Sequence, residues 1–162
     1  MLVDVVPVRP EDYADMAVLY TELDNEVKKG SQKHDFAKLI SERYSQREFW
    51  DGYRAFVAKQ SEWLVGFIEL DLKAEGCVAI SLVFVRYAQR YRGIGRALME
   101  AAMRWIGEDA EMQLSIPNWA EETAGFFTTM EFEPIQPPGE RVTKQDAIWM
   151  KRGWIPRRPP GS

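Results

Sequence analysis

Arg90-Tyr91-Arg92-Gly93-Ile94-Gly95-Arg96-Ala97-Leu98 is a basic stretch with two glycines, and it joins two elements of different pattern. The run before it, residues 78–85, is apolar and predicts a buried strand, whereas the apolar residues after it recur on one helical face up to residue 106. Glycine lets the backbone approach a ligand closely, and the first N–H groups of a helix favour phosphate. Residues 90–96 are therefore expected to bind a pyrophosphate, with three arginines adding positive charge.

Two common phosphate-binding motifs do not fit this stretch. A Walker loop continues with Lys and then Ser or Thr, which do not follow Gly95. A dinucleotide fingerprint needs Gly or Ala where Leu98 stands, and an acid about 20 residues further on, where residues 114–116 provide none. The remaining pattern, Arg-x-x-Gly-x-Gly after a strand, resembles the acetyl-CoA signature of the GNAT superfamily of N-acetyltransferases, through Arg90, Gly93 and Gly95. The competing interpretation is that the glycines only make the turn between strand and helix flexible and that no ligand binds there.

Composition limits the class of protein. The chain has 162 residues, 46% of them hydrophobic, which suits one folded domain. No apolar run approaches the roughly 20 residues of a membrane span, and the first residues carry no secretory signal, so we expect a cytoplasmic protein. One cysteine, Cys77, cannot form an internal disulfide, and one histidine, His34, gives no metal cluster. A net charge of −4 argues against nucleic acid as the main partner and allows a cationic substrate.

Apolar patterns predict the order of elements along the chain. A strand and two helices come first, the second helix over residues 35–46 with Phe36, Leu39, Ile40 and Tyr44 turned inward. A meander of strands follows, and then strand and helix alternate, which is the order of the GNAT fold. The resemblance implies an α+β fold in three layers, with a mixed sheet of six to seven strands and about four helices. We expect one domain over residues 1–151 and a flexible tail, rich in Pro and Arg, over residues 152–162.

The resemblance also implies how acetyl-CoA binds. In this family the strand before the glycine stretch separates from the next parallel strand, and the pantetheine arm enters the gap. Backbone groups of Val83, Phe84 and Val85 would then bind that arm as a further strand. Asn118 has two candidate roles, since it could contact pantetheine or cap the following helix together with Glu121.

The base and the acid are less clearly marked. The family often places an acid where this chain has Ser81, so strand alternation leaves Glu69, or Asp71 on the same face, as the base. Three acids near the end of the first helix compete with them, namely Glu22, Asp24 and Glu26.

A tyrosine that protonates the thiolate in this family corresponds to Phe127, which has no hydroxyl. The glycine that follows in the family corresponds to Glu131. Phe127 is expected to pack near the thioester.

These residues predict an N-acetyltransferase that moves the acetyl group of acetyl-CoA to a primary amine of a small molecule or peptide, by direct attack in a ternary complex. The alternative is a non-catalytic acetyl-CoA-binding module that serves as a sensor or interaction partner. No membrane partner is expected, and a homodimer is allowed.

Overall fold

The computed structural model describes residues 3–28, 36–73, 77–86, 93–107, 110–117, 121–135 and 147–152. A seven-stranded mixed sheet forms its centre, in the order β1-β2-β3-β4-β5-β7-β6. Its strands are β1 (Asp4–Pro7), β2 (Tyr53–Gln60), β3 (Trp63–Asp71), β4 (Val78–Val85), β5 (Met112–Pro117), β6 (Glu133–Ile135) and β7 (Ala147–Arg152). The helices are α1 (Tyr13–Lys28), α2 (Phe36–Ser45), α3 (Phe49–Gly52), α4 (Ile94–Ile106) and α5 (Glu121–Thr129).

This architecture confirms the predicted α+β fold with a mixed sheet. Only β4 and β5 pair in parallel, and the other neighbouring strands pair antiparallel. The helix beyond the expected four is α3, a single turn of four residues. The tail was predicted over residues 152–162, but Arg152 is the last residue of β7, because its backbone pairs with Met112 of β5. Residues 153–162 lie outside the described part of the chain. None of the described helices is long and apolar enough to cross a membrane.

Helices α1 and α2 cover one face of the sheet. Met16 and Leu19 of α1 are fully buried against Phe67 of β3, and α2 contributes Ile40 and Tyr44 to the same cluster. Leu39 was expected to face inward and is 50% exposed instead. Since successive helical residues are about 100° apart, burying Ile40 and Tyr44 turns Leu39 toward the edge of the helix.

Helix α4 covers the opposite face. Leu98, Met99 and Ala102 are fully buried there, in one cluster with Ile68 and Leu70 of β3. Gly93 and Gly107 flank α4 as its N-cap and C-cap, and the helix ends at Ile106, where the predicted apolar helical face also ends. The first turn of α4 is thereby placed at the end of the sheet where β4 finishes.

Strands β4 and β5 pair over only three positions. Val78, Ala79 and Ile80 lie opposite Met112, Gln113 and Leu114, and the ladder ends there, although β4 continues to residue 85 and β5 to residue 117. The parallel strands in the middle of the sheet are therefore joined at one end only. We call the part of the sheet beyond Ile80 and Leu114 the β4–β5 opening.

Candidate active site

The start of α4 has the backbone geometry that the glycine stretch predicts. Gly93 caps the helix with φ 81° and ψ 8°, in the left-handed region, and its carbonyl accepts the first helical hydrogen bond, from Ala97 N–H at 3.0 Å. A residue with a side chain is disfavoured there by roughly 1–2 kcal/mol. A Cβ at Gly93 would meet no atom of the described residues within 4 Å, so this glycine is required by its backbone conformation and not by packing against them. N–H groups of a first helical turn have no partner within the helix and can bind an anion.

Gly95 permits a close contact with α5. A Cβ at Gly95 would lie 3.2 Å from Cζ of Phe126, which is tighter than an ordinary carbon–carbon contact. Phe126 was assigned no role from its sequence position, yet its ring lies against the first turn of α4. The aromatic pair of α5 therefore reaches the predicted pyrophosphate site through its first member.

Several predicted cofactor-binding residues cannot be placed. The described part of the chain does not include Arg90, Tyr91, Arg92 or Asn118. The single histidine, His34, also lies outside it. Among the described members, Ile94 is buried in the core under α4, and Arg96 is exposed, with its guanidinium 3.9 Å from the Glu100 carboxylate.

The β4 residues proposed to bind pantetheine are held in place by their pairing with β3. Val83 and Val85 lie opposite Ile68 and Gly66, and both pack against the α4 core. Phe84 is buried on the other face, under α1 and α2. A Cβ at Gly66 would lie only 2.8 Å from the main-chain oxygen of Phe84, so a glycine is needed for β3 and β4 to approach this closely.

These features fit coenzyme A as a ligand. An open helix N-terminus with a left-handed glycine suits a pyrophosphate, and the end of the β4–β5 ladder leaves strand edges to which an extended arm can add. Among the described residues, no group of three or more His, Cys, Asp or Glu side chains could hold a metal ion.

Glu69 is a buried carboxylate with two polar partners. It is 1% exposed, in a strand that is otherwise apolar over residues 64–70. The Tyr44 hydroxyl donates to its Oε1 at 2.9 Å, and Nη2 of Arg43 donates to its Oε2 at 2.8 Å. Ser81 does not reach this carboxylate, since its hydroxyl donates to the main-chain oxygen of Glu69 at 3.4 Å. The side chain of Glu69 thus points toward α2.

The other candidate acids lie in different surroundings. Asp71 is partly exposed and accepts the Lys73 N–H at 2.8 Å, as in a turn. The Glu22 carboxylate lies 3.3 Å from Nε of Arg86, which ties α1 to the end of β4. The side chains of Asp24 and Glu26 are outside the described part of the structure.

Two tyrosines surround Glu69. Burial raises the pKa of Tyr20 to about 12, and the Glu69 carboxylate contributes in the same direction. Burial also raises the pKa of Tyr44 far above its usual value, with Tyr20 and Glu69 as further causes. Both hydroxyls therefore stay protonated at neutral pH.

A cleft of about 490 Å³ lies on this side of the sheet, between α1, α2 and α3. The Arg43 guanidinium lies 4.9 Å from the ring centre of Phe49 and 5.4 Å from that of Tyr53, so its aromatic neighbours and Glu69 fix its position. The cleft is lined by Tyr20, Leu39, Ile40, Glu42, Arg43, Gln46 and Phe49. The lining thus combines two aromatic rings, Tyr20 and Phe49, with the carboxylate of Glu42 and the guanidinium of Arg43.

Phe127 lies in the apolar core. It is 1% exposed and packs edge-on against Phe126 and Phe132, with ring centres 5.1 and 5.2 Å away. Its carbonyl accepts hydrogen bonds from the N–H groups of Met130 and Phe132, which end α5. Glu131 in this turn has φ 71°, which explains why the family has glycine at the corresponding position.

Cys77 lies away from the site, at the start of β4. It is partly buried, and burial raises the pKa of its thiol, so little thiolate forms at neutral pH.

The comparisons with known proteins agree with this arrangement. A family model described as the Acetyltransferase (GNAT) domain matches residues 13–144. The chain belongs to the GNAT acetyltransferase family. It is an acyltransferase, and acetyl-CoA is the cosubstrate of its family. A search of curated proteins found no match.

Solved structures show the same fold at low identity. The PaiA N-acetyltransferase of Thermoplasma acidophilum in complex with coenzyme A is 16% identical, with a TM-score of 0.74 over 95% of this chain and 100% of that one. A GNAT-family acetyltransferase of Staphylococcus aureus is also 16% identical, with a TM-score of 0.74 over 93% and 98%. An acetyltransferase of Thermus thermophilus is 17% identical, with a TM-score of 0.70 over 94% and 97%.

Proposed function

We propose that this GNAT protein transfers the acetyl group of acetyl-CoA directly to a primary amine, within a ternary complex, and that the amine lies in the cleft between α1 and α2. The observation that carries the proposal is the adjacency of two features in the sheet. Glu69 lies opposite Leu82 of β4, two residues beyond the last β4–β5 pair at Ile80. A donor in the β4–β5 opening and an acceptor in the cleft would therefore meet one strand away from this carboxylate.

The donor side uses mostly backbone. Pantetheine would add to the β4 edge at Val83, Phe84 and Val85, as a strand adds to a sheet. The pyrophosphate would accept hydrogen bonds from the first turn of α4, because Gly93 places no side chain in front of that turn. The further contacts proposed from the sequence are the side chains of Arg90, Tyr91, Arg92, Arg96 and Asn118.

The side of the sheet on which the amine binds supplies the residue that takes up its proton. We assign Glu69 as the base, because its side chain points from the sheet toward α2, which lines the cleft. Phe127 supplies no proton to the sulfur, so the thiolate leaves without a protein acid. This is tolerable because a free thiol has a pKa of about 8.5. Glu42 at the cleft and the net charge of −4 favour an acceptor that arrives as an ammonium ion.

Turnover with a panel of amines tests this function. Polyamines, amino sugars, amino acids and peptide N-termini are each mixed with acetyl-CoA, and both free thiol and acetylated product are measured. We expect at least one amine to release CoA in equal amount to acetylated product. If acetyl-CoA binds and no amine reacts, the protein is instead the non-catalytic acetyl-CoA-binding module.

A matched pair of variants tests the donor site. Asn and Asp both tolerate a left-handed backbone, so Gly93→Asn and Gly93→Asp differ mainly in charge. We expect Gly93→Asp to bind acetyl-CoA more weakly than Gly93→Asn in calorimetry, because its carboxylate repels the pyrophosphate. Equal affinities would place the pyrophosphate elsewhere.

A further inference from the structure

Glu69 is almost completely buried and has very little surface with which to contact an acceptor. Its side chain is 2% exposed, one oxygen is held by Arg43, and the other is held by Tyr44. A proton therefore reaches this carboxylate through one of these two partners. A guanidinium does not give up its proton near neutral pH, which leaves the Tyr44 hydroxyl as the route.

Tyr20 is the next group outward. The hydroxyls of Tyr20 and Tyr44 are joined by a side-chain hydrogen bond. Tyr44 donates its single hydroxyl proton to Glu69, so we assign Tyr20 as the donor in the bond between the two tyrosines. The Tyr20 ring stacks on Phe67 with centroids 4.9 Å apart, and Tyr20 also lines the cleft. The hydrogen bonds thus run in one direction, from the cleft to Glu69.

We propose that Tyr20, Tyr44 and Glu69 form a proton relay, in which Tyr20 is the catalytic residue that contacts the acceptor amine. This inference rests on the proposed function. The acceptor ammonium gives a proton to the Tyr20 oxygen, Tyr20 passes its own proton to Tyr44, and Tyr44 passes its proton to Oε1 of Glu69. The ammonium becomes a nucleophilic amine and the carboxylate becomes a carboxylic acid.

The remaining steps balance the reaction. The nitrogen forms its bond to the acetyl carbon, the carbon–sulfur bond breaks, and the second amine proton neutralises the departing thiolate. Glu69 then returns its proton to water through the same hydroxyls.

The surroundings favour a concerted transfer. Burial raises the pKa of both tyrosines, so a stepwise route through a tyrosinate is disfavoured relative to a concerted one. The charged and titratable groups that face Tyr20 are Tyr44 and Arg43 from α2 and Glu69 from β3. Glu42 also lines the cleft, and its carboxylate would attract the ammonium before transfer.

The pH profile of the reaction distinguishes a relay from a structural role. An enzyme that deprotonates its substrate works on the abundant ammonium form, whereas an enzyme without the relay depends on the small fraction of free amine. We expect Tyr20→Phe to lower kcat/KM at pH 7 by about 10²-fold, the lower end of general acid–base effects. This deficit should shrink about tenfold per pH unit as the amine deprotonates in solution.

Tyr13→Phe is the matched control. Tyr13 lies on the same helix, its ring is 5.6 Å from that of Tyr44, and its hydroxyl donates to the main-chain oxygen of Tyr44 at 3.1 Å, outside the relay. It should keep the wild-type pH profile. Tyr44→Phe, which breaks the middle of the relay, should reproduce the profile of Tyr20→Phe.

The outcomes separate the two proposals. A loss in Tyr20→Phe that is equal at every pH, or no loss at all, overturns the relay and leaves acetyl transfer standing. A wild-type profile in Tyr44→Phe also overturns it. If the wild-type protein acetylates no amine, the proposed function fails and the relay fails with it. Calorimetry with acetyl-CoA and a thermal melt of each variant confirm that the donor site and the fold are intact.

Discussion

Gly66 offers a sharp test of how the sheet is built next to the donor site. A Cβ there would lie 2.8 Å from the main-chain oxygen of Phe84 and 3.2 Å from Cδ1 of Leu98. The first contact is with backbone that is held in the β3–β4 ladder, so the strand itself has to move. We expect Gly66→Ala to lower the free energy of unfolding by roughly 1–3 kcal/mol, as overpacking of a core does. This is a large share of the 5–15 kcal/mol or so that stabilises a typical domain.

The same substitution should also weaken acetyl-CoA binding, because the displaced carbonyl belongs to the strand that borders the β4–β5 opening. Gly125→Ala is the matched control, since a Cβ in that α5 position meets no atom of the described residues within 4 Å. It should stabilise the protein by up to about 1 kcal/mol through helix propensity. Urea unfolding followed by circular dichroism measures both variants, and calorimetry measures acetyl-CoA affinity. If Gly66→Ala is as stable as Gly125→Ala, the close approach of β3 and β4 is wrong.

Three further predictions concern charge, ionisation and the thiol. Arg43→Gln leaves the Glu69 carboxylate buried without its cation, so we expect the free energy of unfolding to fall by about 2–3 kcal/mol, at or below the range for breaking a buried ion pair because Arg43 is 47% exposed. Lys38→Gln, which removes an exposed ion pair on the same helix, is the control and should cost less than about 0.5 kcal/mol. Equal losses in the two variants would contradict the Glu69–Arg43 pairing. Since folding raises the pKa of Tyr20 from 10.0 to about 12, the unfolded chain loses this proton at a lower pH than the folded chain, and stability should fall between these pH values. Thermal melts from pH 9 to 12 should show a smaller fall in Tyr20→Phe than in the wild type. An identical fall would show that Tyr20 does not cause the loss of stability. Cys77→Ser should transfer the acetyl group as fast as the wild type, and its initial-velocity plots should still give intersecting lines, as a ternary complex does. Loss of activity in this variant would instead indicate an acetyl-cysteine intermediate.

The sequence predicted the fold well because the elements carry strong local signals. The apolar run of β4 and the helical periodicity of α4, with Gly93 between them, follow from residue type and spacing alone. Leu39 and Trp105 show the limit of such patterns. Leu39 was predicted to face inward, and Trp105 belongs to the apolar helical face predicted up to residue 106, yet they are 50% and 46% exposed. Trp105 is instead covered in part by the Arg54 guanidinium, 5.2 Å from its ring. Which side of a broad apolar face is buried depends on neighbouring elements.

The candidate site was predictable only where a backbone motif defines it. Gly93 and Gly95 mark the start of α4 because their conformation and packing require glycine. Glu69 was selected by strand alternation, but its partners Arg43 and Tyr44 are more than 20 residues away in sequence and nothing local connects them. The relay through Tyr20 depends on tertiary contacts of this kind and has no sequence signature.

The placement of CoA is the central claim, and a crystal structure of the complex tests it most directly. We predict the pyrophosphate at the N–H groups that follow Gly93, pantetheine along β4 at Val83–Val85, and the sulfur on the side of the sheet where Glu69 and the α1–α2 cleft lie. CoA bound elsewhere, for example at the surface cavity lined by Glu100, Met103, Arg104 and Arg152, would contradict the account.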